Sequence, residues 1–196
     1  MTYDGVTITE DMVQWNITRL HRHQALVADA CSTLLKWKPI QEKPEIVSVI
    51  SAEAKTHDHS KEIEPEYTPY ILVSWRYKMR EKDPKFDYST LVQGLLTQAT
   101  SHHVKNNPHH PEYWVHDNTD MPLINPNNRD KPLSKALDCT KMSTPYIFCM
   151  AADWVAMSIE KSNSPFEWYD KNVNVRWLFT PEQTALLHTI LEYLWK

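Results

Sequence analysis

The chain has 196 residues, a formal net charge of -4, and 41% hydrophobic against 23% charged residues. That composition suits one folded domain and leaves no basic field for duplex nucleic acid. A mean hydropathy of -0.56 without a long apolar run excludes a transmembrane helix. The N-terminus also lacks the basic and apolar regions of a signal peptide, so a cytoplasmic protein with no membrane partner is expected.

In chain order, Thr9 is placed to cap a helix over residues 10–38, with Leu20, Val27, Ala30 and Leu34 among its apolar positions. Pro39 and Pro44 bracket a break. Pro44 then opens a second helix, on which Ile46, Val47, Ile50 and Ala54 recur at helical spacing before the segment THDHSK. Residues 65–82 and 88–104 carry two further helical patterns. From Asn106 to Leu133 the chain is rich in Pro, Asn and Asp and reads as a long loop. Pro145 opens a helix to Glu160 with Thr144 as its N-cap. Ser164-Pro165-Phe166-Glu167 and Thr180-Pro181-Glu182-Gln183 read as capping boxes for the last two helices.

The two glycines exclude Gly-rich phosphate loops and argue against a hairpin-rich β fold. Cys31, Cys139 and Cys149 form no CxxC pair and read as buried free thiols. The expected architecture is all-α: one domain over residues 1–196, a bundle of six or seven helices with negligible sheet.

The chemistry concentrates in the histidines and their acidic neighbours. His57 and Asp58 lie seven and eight residues after Ile50, so both continue its buried stripe. Together they make a compact nitrogen and oxygen pair for a divalent metal. Asp153 shares a helical face with Tyr146, Met150 and Met157, where a carboxylate is costly unless paired or metal-bound. His23 aligns with Leu20, Val27 and Ala30, while His21 points away from them. His102, His103, His109 and His110 fall within nine residues, and imidazoles gather so closely for a metal or an anion. His116 and His188 stand outside the cluster and read as incidental.

The order His23, His57-Asp58, Asp153 resembles the HD-domain superfamily of metal-dependent phosphohydrolases, and Lys61 extends the pair to the HDxxK form common there. The chain is similar, more closely still, to an HD-like family of bacteria and phages, the DUF5662 family of unknown function. RHQALV, HDHSK, EPEYTPY, HHVKNNPHHPEYW, MAADWVAM and WYDKN carry that likeness. The resemblance implies an HD-like helical bundle. His23, His57, Asp58 and Asp153 would match the four-ligand core, with Asp58 able to bridge two metals. His103 and either His109 or His110 would match the extra histidines of two-metal members, and His110 is taken with the ligands. His21 and His23 compete for the first place. The two extra histidines also stand closer together here than in two-metal members, which leaves one of them available for substrate.

The activity that the resemblance implies is a phosphohydrolase for a nucleotide or another small phosphate ester. It would use one or two divalent ions per chain (Mn, Fe, Co, Ni, Zn or Mg). Asp58, Lys61, His109 and His110 are the expected catalytic residues. Lys61 would neutralise phosphate charge, and His109 and His110 would bind phosphate or protonate the leaving oxygen. Tyr113 and Trp114 are candidate walls of the pocket. A di-iron oxygenase of HD type and a non-catalytic metal-stabilised interaction module are the competing readings. The expected partner is the small phosphorylated substrate, and a homodimer is one option for assembly.

Overall fold

The computed structural model describes residues 2–115, 123–124 and 133–196. Within them the protein is all-α, as the periodicity requires. Its helices are α1 (Glu10–Leu35), α2 (Lys38–Gln41), α3 (Pro44–Thr56), α4 (Tyr67–Arg80), α5 (Thr90–Asn106), α6 (Thr144–Lys161), α7 (Pro165–Asn172) and α8 (Pro181–Leu194). Single 3-10 turns occur at His59–Glu62 and Pro111–Trp114. None of the described helices is long and apolar enough to cross a membrane.

The short helix α2 departs from the sequence expectation. Pro39 and Pro44 do not simply bracket a break: each sits in the first turn of a helix, where the missing N–H leaves no bond unmade. Among the described residues the sheet content is two pairs of two-residue strands. β1 (Thr2–Tyr3) and β2 (Val6–Thr7) form an antiparallel hairpin through Asp4 (φ 44°) and Gly5 (φ 80°). Positive φ at both turn residues is what a two-residue hairpin with the right twist demands. β3 (Leu137–Asp138) pairs in parallel with β4 (Trp177–Leu178).

Two compact units emerge. The first comprises the described residues within Met1–Arg22, Asp58–Asn106 and Pro122–Lys131. Here α4 packs on α5, around Ile71, Leu72, Val92 and Leu96, with Ile8 and Met12 joining them. The second comprises those within His23–His57, Asn107–Met121 and Pro132–Lys196. Its centre is α6, which packs on α3, α7 and α8 and buries every residue from Ile147 to Ala156. A helix apolar on all sides belongs inside a core. The sequence carries no mark of this division, because α1 supplies residues 10–22 to one unit and the rest to the other without a break.

The four caps read from the sequence form to different degrees, and Thr9 Oγ1 accepts from the Met12 N–H at 3.4 Å. Thr180 makes the full capping box with Gln183. The Ser164 side chain accepts from the Phe166 N–H, at 3.2 Å. Thr144 is not the N-cap of α6: the first turn closes one residue earlier, with the Tyr146 N–H on the Ser143 carbonyl at 3.0 Å, and Thr144 is already helical.

Candidate metal centre

Burial sorts the histidines. Among the described residues His23, His57, His103, His109 and His110 are buried, while His21, His59, His102 and His188 are not. His116 lies outside the described residues. His23 therefore takes the inward place on α1 that His21 contested.

The end of α3 sets the geometry of the next two residues. The sequence predicted that His57 and Asp58 continue the helical stripe. Instead α3 stops at Thr56. His57 still donates its N–H to the Glu53 carbonyl at 3.0 Å but has ψ 128°, and Asp58 is left-handed at φ 58°. Both side chains are nonetheless buried, at 4% and 2% exposure. A sharp turn, rather than a helix face, delivers them, and Asp is among the residues that tolerate its left-handed position.

In the second unit, α1, α3 and α6 bring three donor atoms together. His23 Nε2 lies 3.1 Å from His57 Nε2 and 3.1 Å from Asp153 Oδ1, and His57 Nε2 lies 3.9 Å from that oxygen. The outer nitrogens of the rings meet carboxylates. Glu53 Oε1 receives His57 Nδ1 at 2.7 Å and His109 Nδ1 at 2.9 Å. Glu160 Oε2 lies 3.4 Å from His23 Nδ1. The His57 and His109 rings are 4.4 Å apart between centroids, and His110 lies 4.3 Å beyond His109.

Burial alone raises a carboxyl pKa. At Glu53 the hydrogen bonds from His109 and His57 outweigh it and hold the group down at about 2. At Asp153 the His23 hydrogen bond overcomes burial in the same way and keeps the carboxyl well below its ordinary range.

The loop bearing His109 and His110 is built to hold them. Trp114 Nε1 donates to the Pro108 carbonyl at 2.8 Å, and the His110 N–H donates to the Asn107 carbonyl at 3.0 Å. Glu112 lies 3.8 Å from the Arg176 guanidinium, both buried. Trp114 thus closes the loop and packs on Tyr146, whereas Tyr113 is exposed.

The first unit carries its own polar cluster. Asp58 Oδ2 pairs with Lys61 Nζ at 2.5 Å, and Asp58 Oδ1 lies 3.1 Å from His103 Nε2. His103 sits on the buried Val92, Leu96 and Ala99 side of α5, as its spacing predicts. Its Nδ1 meets Glu66 Oε2 at 2.8 Å, an oxygen that also accepts from Ser60. The other oxygen, Oε1, lies 2.8 Å from His102 Nδ1. The hydrogen bond from His103 leads those that hold the Glu66 carboxyl below its usual range against the effect of burial. The Lys61 ammonium also lies over the Tyr70 ring, 4.8 Å from its centroid.

Glu53, Glu66 and Glu160 are the functional candidates that sequence reasoning missed. Glu53 had a signal, since it stands four residues before His57 on one helix. Glu160 stands seven after Asp153, again on the same face. Glu66 had none beyond its place in an acidic segment.

Buried groups of histidine and carboxylate could hold a metal ion; in the second unit Glu53, His57 and His109 offer ligand atoms within 4.8 Å of one another. The class is thus a helical protein with a buried histidine–carboxylate centre. Over residues 12–193 the chain matches the family of unknown function DUF5662, and it belongs to that family. No curated protein and no solved structure matches it.

Proposed function

We propose that this protein is a metal-dependent phosphohydrolase acting on a nucleotide or another small phosphate ester. The observation that carries the reading is the convergence of His23 Nε2, His57 Nε2 and Asp153 Oδ1, with neighbours 3.1 Å apart. Atoms bound at about 2.1 Å to one ion lie about 3.0–3.4 Å apart across right or tetrahedral angles. Two imidazole nitrogens and a carboxylate oxygen brought that close repel unless a cation or a proton lies among them. A divalent ion held by these three residues would activate a water and polarise a phosphoryl oxygen.

The donor set favours Mn, Fe, Co, Ni or Zn over Mg, because imidazole suits the later ions. The burial of His23, His57 and Asp153 keeps bulk water from their donor atoms and strengthens their hold on charge. His110, on a loop fixed by Trp114 and Glu112, is suited to protonate a leaving oxygen or to take up phosphate charge.

The test is phosphate release from a panel of nucleotides and small phosphate esters with Mn²⁺, Co²⁺ and Mg²⁺ in turn, beside His57→Ala protein. Metal-dependent release that disappears in the variant is the expected result. No release with any ion and any ester overturns the reading.

A further inference from the structure

Glu53 is buried on the last turn of α3, at 8% exposure. A single oxygen, Oε1, receives two imidazole nitrogens, His57 Nδ1 at 2.7 Å and His109 Nδ1 at 2.9 Å. An ionised carboxylate only accepts hydrogen bonds, so each Nδ1 must carry a hydrogen. A neutral ring with hydrogen on Nδ1 has its lone pair on Nε2. For His57 that atom is the one 3.1 Å from His23 Nε2.

We propose that Glu53 is a positioning residue that sets the Nδ1–H form of both His57 and His109, so that His57 offers Nε2 to the metal. This role rests on the reading of the centre as a metal site. One carboxylate thereby orients two rings that lie 52 positions apart in the chain, and its charge makes both better donors. His109 is tied to this centre through that shared oxygen. The same arrangement recurs in the first unit, where His103 turns Nδ1 to Glu66 and Nε2 to Asp58. Orientation of a ligating imidazole by a carboxylate on its other nitrogen is a common device of metal sites.

Glu53→Gln keeps shape and an accepting oxygen but removes the charge, while Glu53→Met removes the acceptor. The first readout is the affinity for Mn²⁺ and Co²⁺, measured by calorimetry on wild type and both variants. Glu53→Gln should bind about 10- to 100-fold more weakly, the usual effect of losing a partner of this kind. The second readout is the ¹⁵N shifts of the imidazoles in metal-free protein, above the histidine titration range. Wild type should show His57 and His109 with hydrogen on Nδ1, and Glu53→Met should lose that preference. This signature distinguishes a role in orienting the rings from one in stability, and it needs no activity.

Wild-type affinity in Glu53→Gln, or hydrogen on Nε2 of either ring in wild type, overturns the proposal. Wild type that shows both Nδ1–H rings yet binds neither ion overturns the metal reading instead, and with it the role of Glu53 at a metal centre.

Discussion

Asp58 combines an unusual backbone with a buried charge. Its φ of 58° places it in the left-handed region, which costs most L-residues about 1–2 kcal/mol and Asn or Asp less. Its carboxylate is matched by Lys61 at 2.5 Å, and that lysine keeps some exposure to solvent. Asp58→Asn should therefore preserve the turn, whereas Asp58→Ala adds the backbone cost. The alanine variant is expected to melt below the asparagine variant by about 2–4 °C, for about 1 kcal/mol in a chain of this size. Equal melting temperatures in a thermal scan would show that side-chain interactions, not backbone strain, dominate at this position.

At the scale of elements, α6 does the most. Asp153 and Glu160 are two turns apart on one face, so a single helix addresses both nitrogens of His23, at 3.1 Å and 3.4 Å. The helix ends at Ser162, which is left-handed at φ 53°, and the Asn163 N–H reaches back to the Ser158 carbonyl at 3.0 Å. Glycine is the residue that takes this closing position at least cost. Ser162→Gly should stabilise the protein by about 0.5–1 kcal/mol, read as a rise in denaturant midpoint with unchanged slope. A fall in midpoint would mean that the serine side chain contributes more than its backbone costs.

For the molecule as a whole, a metal held between α1, α3 and α6 of the second unit would tie together segments far apart in the chain. A ligand that binds only the folded form stabilises it by about 2.7 kcal/mol at a hundredfold excess over its Kd. Adding Mn²⁺ or Co²⁺ to chelator-treated protein should raise the melting temperature in a concentration-dependent way, and chelator should reverse the rise. A melting temperature indifferent to both ions would count against the centre. The thiols give a second test. Burial pushes Cys31 up to about 12 and raises Cys139 and Cys149 further, so almost no thiolate exists at neutral pH. All three are buried and free, as their spacing implies. They should resist a disulfide reagent in the native protein and react together after denaturation. Fast reaction of any one in native protein would show that its surroundings open.

The amino-acid pattern by itself determined the helices, because apolar residues every three or four positions can bury a common face only as helix. It also determined which residues point inward: His23 with Leu20 and Val27, His103 with Leu96 and Ala99, and Asp153 within the most apolar helix. Prolines and caps mark most helix starts, although Pro39 reads as a break rather than as the start of α2, and the caps point to Thr144 in place of Ser143. What periodicity cannot express is where a helix yields to a turn, and so the left-handed Asp58 reads as helical from the sequence. Nor can it pair side chains from distant segments. That Glu53 serves both His57 and His109, that Glu160 backs His23, and that Arg176 faces Glu112 are results of packing alone. A buried charge needs a partner wherever the chain can bring one, and only the tertiary structure decides which partner arrives.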